Sequence, residues 1–367
     1  MTGPVEDALR VAVHDLADGV RPAPDLAVRA LGRGRRLRRR RRAVAAGAAL
    51  VAVVAVALPF VLLRPQPAPH PARPAPTATA TPAPPARPMP GPDWSTKPLV
   101  LPGDWVVTAG TFAGGAGKGF VLDRARGRYL TAEGYDGVFP APVGALSAVT
   151  DKDRPREVAL VDLARGTTRW YEVGRALSAP EWSPDGRRLL LTTHRLDHFG
   201  FIIMAADGTK RTFRVDEKRY FCTDYCDFTW SRDGTEVVLP QTGQSSSDES
   251  VLRDLRAGVR LFSADDGRPS RFVPVPGDPA GPWAWSPDGK LVVVQGQHDP
   301  LLVETGTGRV VRTLPTADVV WVSDDRLLYR RPYGARDVVL ADLTGRELVR
   351  QPLPKELVER EITVAPR

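Results

Sequence analysis

Three groups of residues are of types that could do chemistry. His194, Asp197 and His198 fall within five positions and His298 is followed by Asp299, so that three of the five histidines lie in two short runs. Imidazole and carboxylate are ligands of divalent metals, and imidazolium can receive an anion. His194 and His198 read as loop residues rather than one face of a helix, so their spacing fixes no coordination geometry; solvated loop polarity is the competing reading and no metal is assigned. Cys222 and Cys226 are the only cysteines. They make half of a structural zinc site that nothing nearby completes, and redox-active pairs usually have a Cys-x-x-Cys spacing. The run GTFAGGAGKGF (110–120) suggests a phosphate loop, but Phe112 stands where the first glycine is required and Gly119 where Ser or Thr should hold a metal ion. It reads as a flexible loop. No G-x-S-x-G elbow is present, and GQSSSDES (243–250) is a polar loop with no base placed beside it. The expectation is binding without catalysis and without a cofactor.

Charge, counted by segment, removes one class of partner. The chain of 367 residues carries a net +8, but residues 94–367 hold 37 Lys/Arg against 37 Asp/Glu. The excess lies in residues 1–42, with 11 basic and 5 acidic side chains, so a basic nucleic-acid-binding face on the folded part loses its support. Residues 43–63 (AVAAGAALVAVVAVALPFVLL) are 21 positions without a charge, enough at about 1.5 Å per residue for a hydrocarbon core. A transmembrane helix is expected there. Eight of the ten residues Arg33 to Arg42 are arginine, which puts the N-terminus in the cytoplasm and the remainder outside. A cleaved signal peptide, with Ala55-Val56-Ala57 as the small-residue site, is the competing reading.

Two flanking segments complete the layout. In the basic tail 1–42, Val5, Leu9, Ala12, Leu16 and Val20 recur at helical steps, so a short amphipathic helix is expected, lying at the inner membrane surface or docking to a cytosolic protein. Between Arg64 and Pro92, 12 of 29 residues are proline. Such a stretch prefers polyproline II and makes a semi-rigid spacer of up to about 90 Å. The linker is assigned to 64–98 and the folded domain to 99–367.

The folded domain is all-β, with short β-rich runs and turn residues every eight to twelve positions. Glu181-Trp182-Ser183-Pro184-Asp185-Gly186 precedes RRLLLTT, Trp230-Ser231-Arg232-Asp233-Gly234 precedes TEVVLP, and Trp285-Ser286-Pro287-Asp288-Gly289 precedes KLVVVQG; Trp321-Val322-Ser323-Asp324-Asp325 before RLLYRR is a degraded copy. The tryptophans are 48, 55 and 36 residues apart, a period that suits four-stranded blades. The Trp would fill the space between blades, and Ser-Pro-Asp-Gly would make a tight turn in which Pro presets φ, Asp caps and Gly takes the positive φ.

These motifs resemble the TolB-like subclass of WD40-like propeller repeats, and the Arg- and Ala-rich composition is of actinobacterial type. The resemblance covers roughly three quarters of the chain, best at 179–217 and 281–316, and implies a single β-propeller. Six blades are expected, with seven as the alternative, near 99–142, 143–177, 178–227, 228–280, 281–316 and 317–358, with a strand near Glu361 to Ala365 closing the ring. In that geometry the Ser-Pro-Asp-Gly turns and the later Asp-Gly turns fall on one face. The other face, the channel mouth, collects His194, Asp197, His198, His298 and Asp299 as candidate ligand-binding residues. Cys222 and Cys226, in one inter-blade loop outside the cell, are expected to form a disulfide.

The leading expectation is therefore a membrane-anchored, extracytoplasmic, non-enzymatic binding or scaffold module for a protein, peptide or envelope glycan. A transmembrane regulator is the alternative, since the layout resembles anti-sigma-like membrane proteins, although residues 1–42 lack the cysteines of their zinc signature. A propeller lyase or hydrolase is a third reading.

Overall fold

The computed structural model describes residues 86–91, 93–112, 119–174, 180–194, 199–223, 226–244, 255–331 and 336–367. The tail, the apolar run 43–63 and the linker up to residue 85 lie outside them, as do Asp197 and His198. Among the described residues no helix is long and apolar enough to cross a membrane.

The chain folds as six antiparallel sheets. Blade one holds β1 (Val100–Leu101), β2 (Trp105–Thr111), β3 (Gly119–Asp123) and β4 (Arg128–Ala132); blade two β5 (Gly137–Pro140), β6 (Leu146–Thr150), β7 (Glu157–Asp162) and β8 (Thr167–Glu172). Blade three holds β9 (Glu181–Trp182), β10 (Arg188–His194), β11 (Phe199–Ala205) and β12 (Lys210–Val215); blade four β13 (Thr229–Trp230), β14 (Glu236–Gln244), β15 (Leu255–Ser263) and β16 (Pro269–Val273). Blade five holds β17 (Asp278–Pro279), β18 (Leu291–Gln295), β19 (Pro300–Glu304) and β20 (Val310–Thr313); blade six β21 (Val319–Ser323), β22 (Arg326–Arg330), β23 (Asp337–Asp342) and β24 (Glu347–Pro352). After a short helix, α1 (Lys355–Val358), the last strand β25 (Glu361–Pro366) returns to pair with β2 as the inner strand of blade one, from Trp105 opposite Pro366 to Thr111 opposite Glu361. The ring is thus closed by its own C-terminus. A second tie is made by the lead-in segment, where Ala86 bridges Val349 of β24 and the Gln351 side chain donates to the Val100 carbonyl.

Why apolar runs such as RRLLLTT form these strands follows from the packing. In β10, Leu189 and Leu191 pack toward blade two against Val158 and Leu160, while Leu190 packs toward blade four with Trp230 and Val237. Each middle strand is covered on both faces by neighbouring blades, so apolar residues need not alternate with polar ones. The core is a series of such inter-blade layers rather than one central mass.

The repeated turns behave alike. Asp185, Asp233 and Asp288 each accept a hydrogen bond from the Ser two residues before (2.5, 2.7 and 2.7 Å) and from a backbone N–H two residues on, and Gly186, Gly234 and Gly289 have φ of 68°, 70° and 68°. The tryptophans then lock blade to blade. Trp182, Trp230 and Trp321 donate their indole N–H to carbonyls of the preceding blade, those of Phe139 and Glu181 in inner strands and that of Ala284 in the 3-10 turn before Trp285 (2.7, 3.1 and 2.9 Å).

Two expected blade boundaries are corrected. Blade two begins at β5 (137–140), not at 143: Ala141 N–H bonds the Leu146 carbonyl as Ser183 N–H bonds Arg188, so Pro140 occupies the position that Trp182 holds elsewhere and the marker residue is missing. Blade five begins at Asp278, not at 281, because its inner strand carries an insertion.

Candidate functional site

Each inner strand runs from the connections between blades toward the turns, so the β10–β11, β14–β15 and β18–β19 loops gather at the mouth with the inter-blade connections. The sequence-designated residues distribute as follows. His298 and Asp299 are exposed in the turn between β18 and β19. His194 is the last residue of β10, opposite Phe199; Asp197 and His198 lie outside the described residues. Blade four separates the two histidine runs. Among the described residues no three of His, Cys, Asp and Glu converge to hold a metal ion.

Cys222 and Cys226 form a disulfide, with Cα atoms 6.0 Å apart. Its loop does more than close on itself. Thr223 donates its N–H to Thr242 Oγ1 (2.9 Å), and the pair caps Arg256, whose Nη1 reaches Thr242 Oγ1 (3.0 Å) and Nη2 the Thr223 carbonyl (3.4 Å). Arg256 in turn holds Asp278 of blade five through Nε (2.7 Å) and Nη2 (3.2 Å). The Arg256 side chain is 3% exposed. A bidentate ion pair so far from water is held by its remaining hydrogen bonds, which the disulfide loop supplies. Sequence reading did not find Arg256 or Asp278 as a pair.

The opposite end of the channel is plugged. Pro279 pairs with Val294 and Trp285 bridges Val292, so seven residues of the inner strand match three of β18 and four are extruded toward the axis. They form a short 3-10 turn, Pro282–Ala284, that carries Trp283. Trp283 lies 5.2 Å from the ring of Trp105 of blade one and 4.8 Å from the guanidinium of Arg232 of blade four. Those blades are diametrically opposed in a ring of six. The insertion also displaces the local lock: Trp285 Nε1 and Thr229 Oγ1 are buried without a hydrogen-bond partner, where Trp182, Trp230 and Trp321 make the indole bond.

Acidic residues line the inner strands at or just before their mouth ends: Asp136 before β5, Glu181 in β9, Asp227 before β13, Asp278 in β17, Asp318 before β21 and Glu361 in β25. Glu181 accepts a hydrogen bond from Trp230 N–H (2.9 Å) and faces the plug, since a Cβ on Gly281 would lie 2.5 Å from its Oε1. Burial pushes its carboxyl up to about 8, against the Trp230 bond, and Asp227 adds to the rise. Burial likewise raises Asp318, opposed by Arg330 and helped by Glu361. The neighbouring bases make further contacts: Arg330 donates to the carbonyls of Val358 and Arg360, and Arg360 is stacked on Phe112 and Phe120 at 4.1 and 4.7 Å.

Fold and site together define a closed six-bladed β-propeller with Trp283 set between blades one and four at the turn end of its axis. No protein-family model and no curated protein matches the chain. Solved structures similar to it include TolB from Acinetobacter baumannii (15% identity, 71% of this chain and 66% of that one, TM-score 0.47). The β-propeller domain of the trilobed protease from Pyrococcus furiosus (13%, 71% and 82%, 0.43) and a nidogen/laminin complex (16%, 70% and 97%, 0.44) are similar at the same level. The chain spans slightly less than two thirds of the TolB chain. Likenesses of this degree carry no argument about activity.

Proposed function

We propose that the chain is a membrane-tethered, extracytoplasmic binding module whose ligand, a protein, peptide or envelope glycan, enters at the mouth face. The observation that supports this reading is the plug: Trp283, packed on Trp105 of blade one and beside Arg232 of blade four, obstructs the turn end of the axis and so favours the mouth face for a ligand. Ligands of closed rings bind where loops from several strands converge on a rigid scaffold. The tether rests on the uncharged run 43–63 and its arginine flank. In the test, the full chain is recovered from membranes beside a triple variant, His194→Ala, His198→Ala and His298→Ala. The module should retain a reproducible partner that the variant holds less well at an unchanged melting temperature. Recovery of the same partner by both proteins, or of none by either, contradicts the reading.

A further inference from the structure

Polar groups without partners gather at one place in the ring. Among the described residues five buried side-chain nitrogen or oxygen atoms make no hydrogen bond, and three of them, Thr229 Oγ1, Arg232 Nη1 and Trp285 Nε1, belong to the junction of blades four and five beside the plug. A buried donor or acceptor left unpaired costs its full desolvation, so the seated plug is held against a standing cost. Its backbone supplies little to offset that. The carbonyls of Gly281 and Pro282 accept only long bonds, from Ala284 N–H (3.2 Å) and Trp285 N–H (3.4 Å), and no residue between Pro279 and Trp285 pairs with β18.

What seats the plug is the side chain of Trp283, through its edge-to-face contact with Trp105 at 5.2 Å and the Arg232 guanidinium at 4.8 Å. Contacts of these two kinds are of the same order as the cost of the unpaired groups, so the seated arrangement is favoured by only a narrow margin. Gly281 sets a limit of its own. Its φ is 125°, and a Cβ there would lie 2.5 Å from Glu181 Oε1, so any side chain at this position strains the seated conformation. Withdrawal of the segment from the axis releases Gly281 from both restraints and lets water reach all three unpaired atoms.

We propose that residues 280–284 are a gate at the turn end of the axis, with Trp283 moving between a seated position on Trp105 and a withdrawn one in which the channel runs through the ring. The gate goes beyond the mouth-face reading by adding a second, conditional entrance. The test labels the full chain, solubilised, with 5-fluorotryptophan and follows its eight tryptophans by fluorine NMR, Trp283 and Trp105 being assigned from their Phe variants. Trp283 should exchange between two environments on a scale of microseconds or slower, as segment motions of this size do. Trp105 should report the same exchange and Trp182 none. Thr229→Val, which removes one unpaired hydroxyl at nearly constant shape, should lower the withdrawn population about tenfold, and Gly281→Ala should raise it by a similar factor. A single Trp283 environment in both the parent and Gly281→Ala overturns the proposal, as do populations that the two substitutions move in the same direction or leave unmoved. Where Gly281→Ala does not fold, the parent and Thr229→Val decide: no exchange in the parent, or exchange that Thr229→Val leaves unchanged, is the contrary result.

Discussion

Trp283 of blade five meets Trp105 of blade one edge to face, with ring centroids 5.2 Å apart and ring planes at 87°. The contact joins blades that are not neighbours, and Arg232 of blade four completes it from across the axis. Trp283→Ala should therefore open the turn end of the channel and lower stability, but by less than the roughly 3–5 kcal/mol of truncating a fully buried Trp, because Trp283 is only half-buried. Urea unfolding measures the cost. An unchanged midpoint would mean that the plug holds nothing together.

The inter-blade tryptophans allow a comparison in which cavity size is held constant. Trp230→Phe removes the indole bond to the Glu181 carbonyl, whereas Trp285→Phe removes a donor that has no partner. The Trp230 change should be the more costly by about 1 kcal/mol, the net worth of one hydrogen bond. Equal losses in denaturant titration would show that the bond contributes nothing to holding blades three and four.

Acid and alkali should act on different groups. Backbone and side-chain bonds from Lys290, with Ser286, hold Asp288 down at about 2, below its ordinary 3.8. That contribution is present above about pH 4 and lost as pH falls toward 2. Glu181 runs the other way. Its carboxyl titrates at about 8 when folded against an ordinary 4.5, so the folded state holds a proton that the unfolded state releases, and stability declines as pH rises from about 4.5 to 8. Glu181→Gln should flatten the slope of stability against pH in that window; a slope identical to the parent's would remove Glu181 as its source.

At the mouth, Asp278→Ala leaves Arg256 buried without its carboxylate and should cost about 3–5 kcal/mol. Reducing the disulfide should cost less. The loop it closes spans a sequence separation of only 4, and the chain-entropy gain is below the roughly 3 kcal/mol of a 15-residue loop. Calorimetry should rank Asp278→Ala as the more damaging, and thiol titration should find no free cysteine before reduction; the reverse ranking would make the cross-link the main support of blade four.

Much of the ring was legible in the sequence because the Trp-Ser-x-Asp-Gly unit states its own physics: turn residues in fixed order and an aromatic long enough to reach the preceding blade. Legibility failed where that unit was altered. Pro140 in the tryptophan position hid the start of blade two, and the four-residue insertion hid the start of blade five. Arg256 was missed for a different reason. In β15 the order is inverted, with Leu255 exposed and Arg256 buried, so an apolar-in, polar-out pattern assigns both side chains to the wrong side. Only the tertiary partners Asp278 and Thr242 make that inversion stable. His298 and Asp299 are exposed in the turn between β18 and β19.

The most direct test of the mouth face as the binding face is site-specific photo-crosslinking in native membranes, with a photoreactive amino acid at His298 on the mouth face or at Arg187 in a turn on the opposite face, both exposed. The account expects a discrete adduct from position 298 and none from position 187. Adducts from position 187 alone, or from neither position, would contradict it.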